Sequence, residues 1–385
     1  MNAKDYFLHD ALCPLPWMGV YVNPDGTIKN CAISTTSLGN LHNDTLENVL
    51  LGDTNIAIKT DMLNHNRNAR CNNCYKIENL SDNHLPTHSL SNRNWYKKQG
   101  IKDLSLYDSP NNFNLKILDL RWRNTCNLAC VYCGPDLSSK WAAELNDKKF
   151  TINEEILEKN KKYIFDRIDN IDHVYLAGGE PLLIKENYEL LTLLYEKNPD
   201  VEIRINTNLS IVDNPIFNKL LEFKNVVWTV SVDAIGSEYE YIRYPGEWSK
   251  FYTNLINLKN QQFDINFNMV WCVLNAESIF ECIDQLSNDG FHENTFIIQC
   301  LTDPVALDIR NLPKNNLEAL KLKIKNKLCA TNSSYWLHKS LTSMYNYIDT
   351  PMLNSDLNQT IKFLKTLDQR RNLNSQHVFP ELYNL

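Results

Sequence analysis

The sequence predicts an α/β protein: a partial (β/α)6 barrel, TIM-like but open, with a small Cys-rich domain before it and a helical C-terminal cap after it. Three observations carry this expectation. From residue 115, short apolar runs alternate with helical stretches, and such alternation implies parallel strands joined by right-handed crossovers. The alternation runs through six units, short of the eight of a closed barrel. Residues 1–80 contain four cysteines and few strongly periodic segments.

Taken in order, residues 1–80 open with Cys13 before Pro14-Leu-Pro-Trp17. Val22-Asn-Pro-Asp-Gly26 reads as a turn between two strands, followed by Cys31. A helical stretch after Leu38-Gly-Asn40 leads to Cys71-Asn-Asn-Cys74. Residues 81–112 are polar and read as a connector crossing the surface. Residues 113–305 form the barrel, with strands expected at 116–122, 173–178, 201–207, 226–233, 265–272 and 295–301. Helices are expected near 153–168, 185–197, 214–223, 249–261 and 276–289. Residues 306–385 form the extension, mostly helical from 314 and read as a cap on the barrel.

The strands carry a second signal. Side chains alternate across a strand. One face collects Asp119, Arg121 and Arg123 on the first strand and its end, then Arg204, Asn206 and Asn208 on the third. It continues with Thr229, Ser231 and Asp233, then Asn266, Asn268 and Cys272, and finally Gln299. The alternate faces are apolar, with Ile203, Ile205, Trp228, Val230, Phe267 and Met269. A polar inner face implies a solvated or ligand-filled interior. Arg121, Arg123 and Arg204 there suggest a carboxylate or phosphate on the ligand.

Composition narrows the function. The chain has 385 residues, 43% hydrophobic and 22% charged, ordinary for a protein with a core. A net charge of −7 argues against nucleic acid held by broad phosphate neutralisation. No stretch approaches the roughly 18–20 apolar residues of a membrane span. The first ten residues lack the apolar core of a signal peptide, so a cytoplasmic location is expected. Eleven cysteines without an export signal point to metal or redox chemistry in a reducing compartment.

The most telling cysteines are Cys126-Asn-Leu-Ala-Cys130-Val-Tyr-Cys133, directly after the first barrel strand. Three thiolates are one short of the four that close a zinc site or a cubane. A cubane on three cysteines keeps one iron open to a small molecule; the alternatives are unrelated loop cysteines or an incomplete zinc site. The run, with Tyr132 before its third cysteine, resembles the signature of the radical S-adenosylmethionine (SAM) superfamily. That resemblance implies a [4Fe–4S] cluster on Cys126, Cys130 and Cys133 whose open iron chelates SAM, with Tyr132 among the SAM contacts.

Further strand ends fit the same resemblance. Leu176-Ala-Gly-Gly-Glu-Pro181 closes the second strand, where glycines admit close backbone approach and a carboxylate can receive an ammonium. It resembles the superfamily's Gly-Gly-Glu-Pro motif, implying that Gly178, Gly179, Glu180 and Pro181 meet the methionine amino group of SAM. Asn208, Ser231 and Asp233 match positions near SAM or substrate, and Arg243 lies in a segment that recurs after the fourth strand. Turn and cap duty is the alternative for these polar residues.

Cys13, Cys31, Cys71 and Cys74 suit a fully ligated site. They resemble the SPASM/twitch auxiliary-cluster domains of radical SAM enzymes, here placed before the barrel instead of after it. The resemblance implies a second, auxiliary [4Fe–4S] cluster; a four-cysteine zinc site is the alternative. Cys272, near the top of the fifth strand, is a candidate hydrogen donor to a substrate radical. The expected activity is reductive cleavage of SAM to a 5′-deoxyadenosyl radical, which abstracts hydrogen from a substrate. A flavodoxin or ferredoxin-type protein is the implied electron donor. The substrate is expected to be a peptide or protein undergoing oxidation or cross-linking, with Arg121, Arg204, Asn206 and Asn268 as candidate contacts. The alternatives are dehydrogenation of a small polar metabolite, such as an aminocyclitol or sugar, and a non-enzymatic iron-sulfur carrier or scaffold.

Overall fold

The computed structural model describes residues 2–81, 89–147, 153–352 and 355–385. Its strands are β1 Gly19–Val22, β2 Thr27–Lys29, β3 Gly39–Asn40, β4 Ile117–Leu120, β5 His173–Leu176, β6 Glu202–Thr207, β7 Val226–Ser231, β8 Asp264–Trp271 and β9 Phe296–Cys300. They form an open sheet in the order β3-β2-β1-β4-β5-β6-β7-β8-β9. Strands β4 to β9 are the six expected, in sequence order, and helices fall between them where periodicity places them. Local chemistry fixes several helix starts. The Asn153 side chain accepts from the Glu155 and Ile156 N–H groups, and Asn214 caps a helix that begins with Pro215. The period-two pattern also holds. On β6, Ile203, Ile205 and Thr207 are buried while Glu202, Arg204 and Asn206 are partly exposed. On β8 the same division separates Phe267 and Met269 from Asn266 and Asn268.

The chain divides into two compact units. The first holds residues 1–126, 135–207 and 211–228; the second holds 127–134, 208–210 and 229–385.

Within the first unit, the Cys-rich segment is part of the barrel sheet. β1 pairs parallel with β4, Gly19 opposite Ile117 through Val22 opposite Leu120. β2 returns antiparallel on β1. All four residues of β1 are buried, so strand addition removes Val20 and Val22 from water and satisfies β4's free edge.

The expectation of a surface connector over 81–112 is corrected for its described part; residues 82–88 lie outside the described residues. Asn92–Gly100 is a helix, with Arg93 and Lys97 fully buried. Arg93 donates from Nε and Nη2 to the two Glu78 carboxylate oxygens, both at 2.8 Å. Lys97 donates to the carbonyls of Tyr6 at 2.9 Å and His9, and burial lowers its pKa to about 8. These charges are neutralised by a carboxylate and backbone carbonyls instead of water, which composition alone does not reveal. Removing one partner of such a buried pair costs about 3–5 kcal/mol.

In the second unit the C-terminal extension forms helices Lys314–Ala330, Trp336–Ile348 and Leu357–Arg371. Trp336–Ile348 lies along β9, and the Ile298 N–H donates to Ser340 Oγ at 2.9 Å. The extension therefore covers the outer edge of the last strand. No helix among the described residues is long and apolar enough to cross a membrane.

Candidate functional site

The first unit supplies the start of the cysteine loop. Cys126 is pinned at its backbone: its N–H donates to Ser139 Oγ at 3.1 Å, and that hydroxyl donates back to the Cys126 carbonyl at 3.2 Å. Ser139 begins the helix Ser139–Leu145. The residue before Cys126 holds the Gly-Gly-Glu turn. The Glu180 N–H donates to the Thr125 carbonyl at 2.7 Å. Gly178 has φ +112, and a Cβ on Gly179 would stand 2.1 Å from the Thr125 oxygen. Only glycine fits there. Glu180 is 1% exposed. Its Oε1 accepts from Thr207 Oγ1 at 2.7 Å and from the Leu182 N–H at 3.1 Å. The backbone thus ties the acid to the loop that carries Cys126.

Two arginines do not stand as the sequence suggested. Arg121 donates to Asp119 at 2.8 Å and lies between the rings of Tyr21 and Tyr175, at 5.5 and 5.7 Å. Its charge is committed to Asp119 and not held ready for a substrate anion. Arg123 lies beyond the end of β4, and its guanidinium is paired with Glu186 at 2.7 Å and Glu154 at 3.0 Å. Arg204 does keep its place on the partly exposed face of β6, with its guanidinium 5.2 Å from the Trp95 ring centre. Asn206 shares that face.

The second unit holds the rest of the loop. The Ala129 N–H donates to the Tyr244 carbonyl at 2.6 Å and the Val131 N–H to the Ile242 carbonyl at 2.8 Å. Cys130 is bracketed between these bonds. Tyr132 donates its hydroxyl to Asp233 Oδ2 at 2.6 Å, and Arg243 Nη2 meets the same oxygen at 2.8 Å. Asp233 Oδ1 accepts from the Val270 N–H at 2.7 Å. Asn208 donates to Asn127 Oδ1 at 3.0 Å and accepts from the Ser210 N–H at 2.9 Å. Tyr132, Asp233, Arg243 and Asn208, expected as ligand contacts, are therefore engaged in fixing the cysteine loop. Burial raises the Cys130 pKa, and the nearby Arg243 guanidinium partly offsets this.

Ser231 remains on β7 and is buried. Thr229, also buried, has no hydrogen-bond partner for Oγ1 among the described residues. Asn268 is partly exposed and accepts a long contact from Gln299 at 3.5 Å. Cys272 is corrected. It stands one residue beyond β8, fully buried, and its sulfur caps the turn Val273–Asn275. Burial raises its pKa to about 12. Capping accounts for this thiol; it does not line the inner face.

The four N-terminal cysteines lie together in the first unit. All four are free thiols, and Cys31, Cys71 and Cys13 each raise the Cys74 pKa after its burial does. The Cys31 pKa rises to about 12 for the same two reasons, burial and then Cys71. Four neighbouring thiols, Cys13 and Cys74 buried and Cys31 and Cys71 partly so, suit a metal group, which takes them as thiolates. Cys13 leads into β1, and Cys31 follows β2, which runs antiparallel to β1. This places both near the N-terminal ends of β1 and β4, whereas the loop with Cys126 leaves the C-terminal end of β4.

His9, Asp10 and His65 also bring three donor atoms within 4.8 Å. The histidine rings are stacked at 3.7 Å and nearly parallel, so their lone pairs do not converge on one ion. His9 Nδ1 already accepts from the Leu12 N–H at 3.2 Å. Burial lowers its pKa to about 4 and keeps it neutral. The trio is a ring stack.

Comparison with known proteins agrees with these groupings. Residues 122–286 match the radical SAM superfamily, and residues 13–75 match an iron-sulfur cluster-binding domain, SPASM. The chain carries a radical SAM domain preceded by a SPASM domain. Its cofactors are accordingly a SAM-binding [4Fe–4S] cluster, SAM and auxiliary iron-sulfur. The chain is similar to the GTP 3′,8-cyclase of Campylobacter lari, 26% identical over 90 residues, or 23% of this chain and 25% of that protein. It is also similar to the 7-carboxy-7-deazaguanine synthase of Clostridium acetobutylicum, 38% identical over 103 residues, or 26% of this chain and 39% of that protein. The chain thus spans about a quarter to two fifths of these curated relatives. Among solved structures, anSMEcpe with bound AdoMet aligns with a TM-score of 0.42 at 17% identity, covering 56% of this chain and 62% of that one. Streptococcus suis SuiB bound to precursor peptide SuiA aligns with a TM-score of 0.42 at 15% identity, covering 63% and 53%.

Proposed function

We propose that this radical SAM protein cleaves SAM reductively at a cluster held by Cys126, Cys130 and Cys133, and oxidises or cross-links a peptide or protein substrate. The observation that carries the reading is the pairing of two cysteine sets in one chain, three on the loop and four beside β1. A cluster held there would, when reduced, supply the electron for SAM cleavage. The protein's part is to hold and orient. Ser139 fixes the backbone of Cys126, and the 242–244 segment fixes that of Cys130. Glu180 receives the SAM ammonium, in a turn shaped by Gly178 and Gly179 and continued by Pro181. Cys13, Cys31, Cys71 and Cys74 would hold the second cluster with four thiolates, which would suit it to take an electron and not to bind substrate. That favours net oxidation. In the second unit Thr229, Ser231 and Asn268, on β7 and β8, offer donors and acceptors of the kind a peptide backbone needs, and Asn206 on β6 of the first unit is a group of the same kind.

Glu180→Gln is expected to weaken SAM binding by about tenfold or more, since a charge-assisted contact contributes on the order of 1.5–3 kcal/mol. Iron content should stay unchanged. SAM titration of the reconstituted variant checks this, and unaltered affinity would remove Glu180 from the amino group.

A second reading, oxidation of a small polar metabolite at an alcohol carbon, draws on Arg204, a cation suited to a carboxylate or phosphate. Anaerobic reconstitution with dithionite and SAM tests both. Deuterium passing into 5′-deoxyadenosine from labelled peptides supports the first; transfer only from labelled sugars or cyclitols supports the second. No 5′-deoxyadenosine at all would refute both.

A further inference from the structure

In the first unit the helix Asn72–Glu78 is capped by Cys71 and carries Cys74. The next residue, Tyr75, is 5% exposed. Its hydroxyl is buried and has no hydrogen-bond partner among the described residues. Native proteins rarely leave such a donor unmet, because the bond to water given up on folding is not replaced. Packing alone would be served by phenylalanine, so the hydroxyl calls for an acceptor of its own.

Three features bring Tyr75 to the four cysteines. Side chains on a helix lean toward its N-terminus and cover the preceding turn. Tyr75 therefore leans over Cys71, four residues before it. Cys74 is its neighbour in the chain. The guanidinium carbons of Arg67 and Arg93 each lie 4.9 Å from the centre of the Tyr75 ring. Arg93 Nη1 also donates to the carbonyl of Leu12 at 3.5 Å, and Leu12 immediately precedes Cys13. The ring thus stands among the chain segments of Cys13, Cys71 and Cys74.

The surrounding contacts fix the ring and leave the hydroxyl uncommitted. Arg93 is itself anchored on Glu78, which shares the helix of Tyr75. Glu78 Oε1 accepts from Ser91 Oγ as well, at 2.9 Å. Arg67 is drawn to Asp10, Nε to Oδ2 at 3.8 Å. An iron-sulfur group supplies acceptors at its sulfurs, and hydrogen bonds to those sulfurs help set its potential. A donor there favours the reduced state, which carries the greater negative charge.

We propose that Tyr75 donates its hydroxyl to a sulfur of the auxiliary iron-sulfur group and so raises that group's reduction potential. The inference rests on the proposed assignment of Cys13, Cys31, Cys71 and Cys74 to that group. It gives the proposed electron acceptor a residue that tunes it.

The test is an EPR-monitored redox titration of full-length reconstituted protein, following the cluster signal that SAM does not alter. Wild type, Tyr75→Phe and protein with fluorotyrosine in place of Tyr75 are compared, with iron content and circular dichroism measured on each. Phenylalanine keeps the ring and removes the donor. Fluorination beside the hydroxyl keeps the ring and makes the donor stronger. The expected result is a more negative potential in Tyr75→Phe and a more positive one in the fluorotyrosine protein, with iron unchanged. An unshifted potential in either protein would overturn the proposal. Shifts of the same sign in both would overturn it too, because ring packing and not the hydroxyl would be responsible. Should Tyr75→Phe fail to load the second group, the fluorotyrosine protein decides: a raised potential supports the hydrogen bond, and any other result overturns it. These outcomes leave the auxiliary assignment standing. Wild-type protein with no SAM-insensitive cluster signal would refute that assignment, and the proposal with it.

Discussion

Replacing Cys126, Cys130 and Cys133 together with alanine is expected to abolish 5′-deoxyadenosine formation and to leave about four iron atoms where the wild type holds about eight, since one cubane remains of two. The loop should survive the change. Its backbone is held by the Ala129 and Val131 N–H groups and by Ser139, none of which needs a sulfur. The four-cysteine group should load independently. It sits against its own apolar cluster of Tyr6, Leu12, Trp17, Met18, Ile58 and Met62. Iron and sulfide analysis with product chromatography checks both outcomes. A triple variant that keeps all its iron, or still makes 5′-deoxyadenosine, would refute the assignment. Wild-type protein saturating at half the iron with one tightly held zinc would refute the auxiliary cluster.

Cys71→Ala with Cys74→Ala is expected to separate the two halves of the reaction. SAM cleavage by dithionite should continue while product disappears, because the second electron has lost its acceptor. Ligation also supports small domains, and its loss can unfold them. Here other contacts share that work. β1 is paired along β4, Arg93 is locked to Glu78, and Lys97 gathers the Tyr6 and His9 carbonyls. Circular dichroism and SAM binding should therefore stay near wild type. A folded double variant with normal product would eliminate the acceptor role and leave the cluster a structural one.

Much of this architecture was legible in the chain. The strands from β4 to β9 announced themselves because each has one apolar face, and β6 and β8 show the alternation residue by residue. The cysteine loop and the Gly-Gly-Glu turn were legible because their chemistry is tied to spacing. What sequence did not reveal depended on partners far away along the chain. β1 is four residues long, and nothing in Gly19-Val-Tyr-Val22 names Ile117–Leu120 as its neighbour. Arg93 and Lys97 looked solvent-facing because their compensating groups are Glu78 and carbonyls near residue 6. Period-two reading put Arg121 on the right face but could not see Asp119 taking its charge. Asp233 and Asn208 stood just past strand ends that suit a ligand, and Arg243 in the segment after β7, yet their side chains are engaged around the cysteine loop.

The parallel seam between β1 and β4 bears on how the protein can be taken apart. Composition invites a cut near residue 113 to obtain the barrel alone. Such a fragment would begin at β4 with a bare margin of apolar backbone, the kind of margin that recruits strands from other molecules. At β9, Ser340 already occupies a backbone N–H of the last strand. The excised barrel should therefore aggregate through its β4 side, and adding back the N-terminal hairpin should restore solubility even when its cysteines carry no iron. The hairpin is in this sense a built-in chaperone for the strand that precedes the cysteine loop.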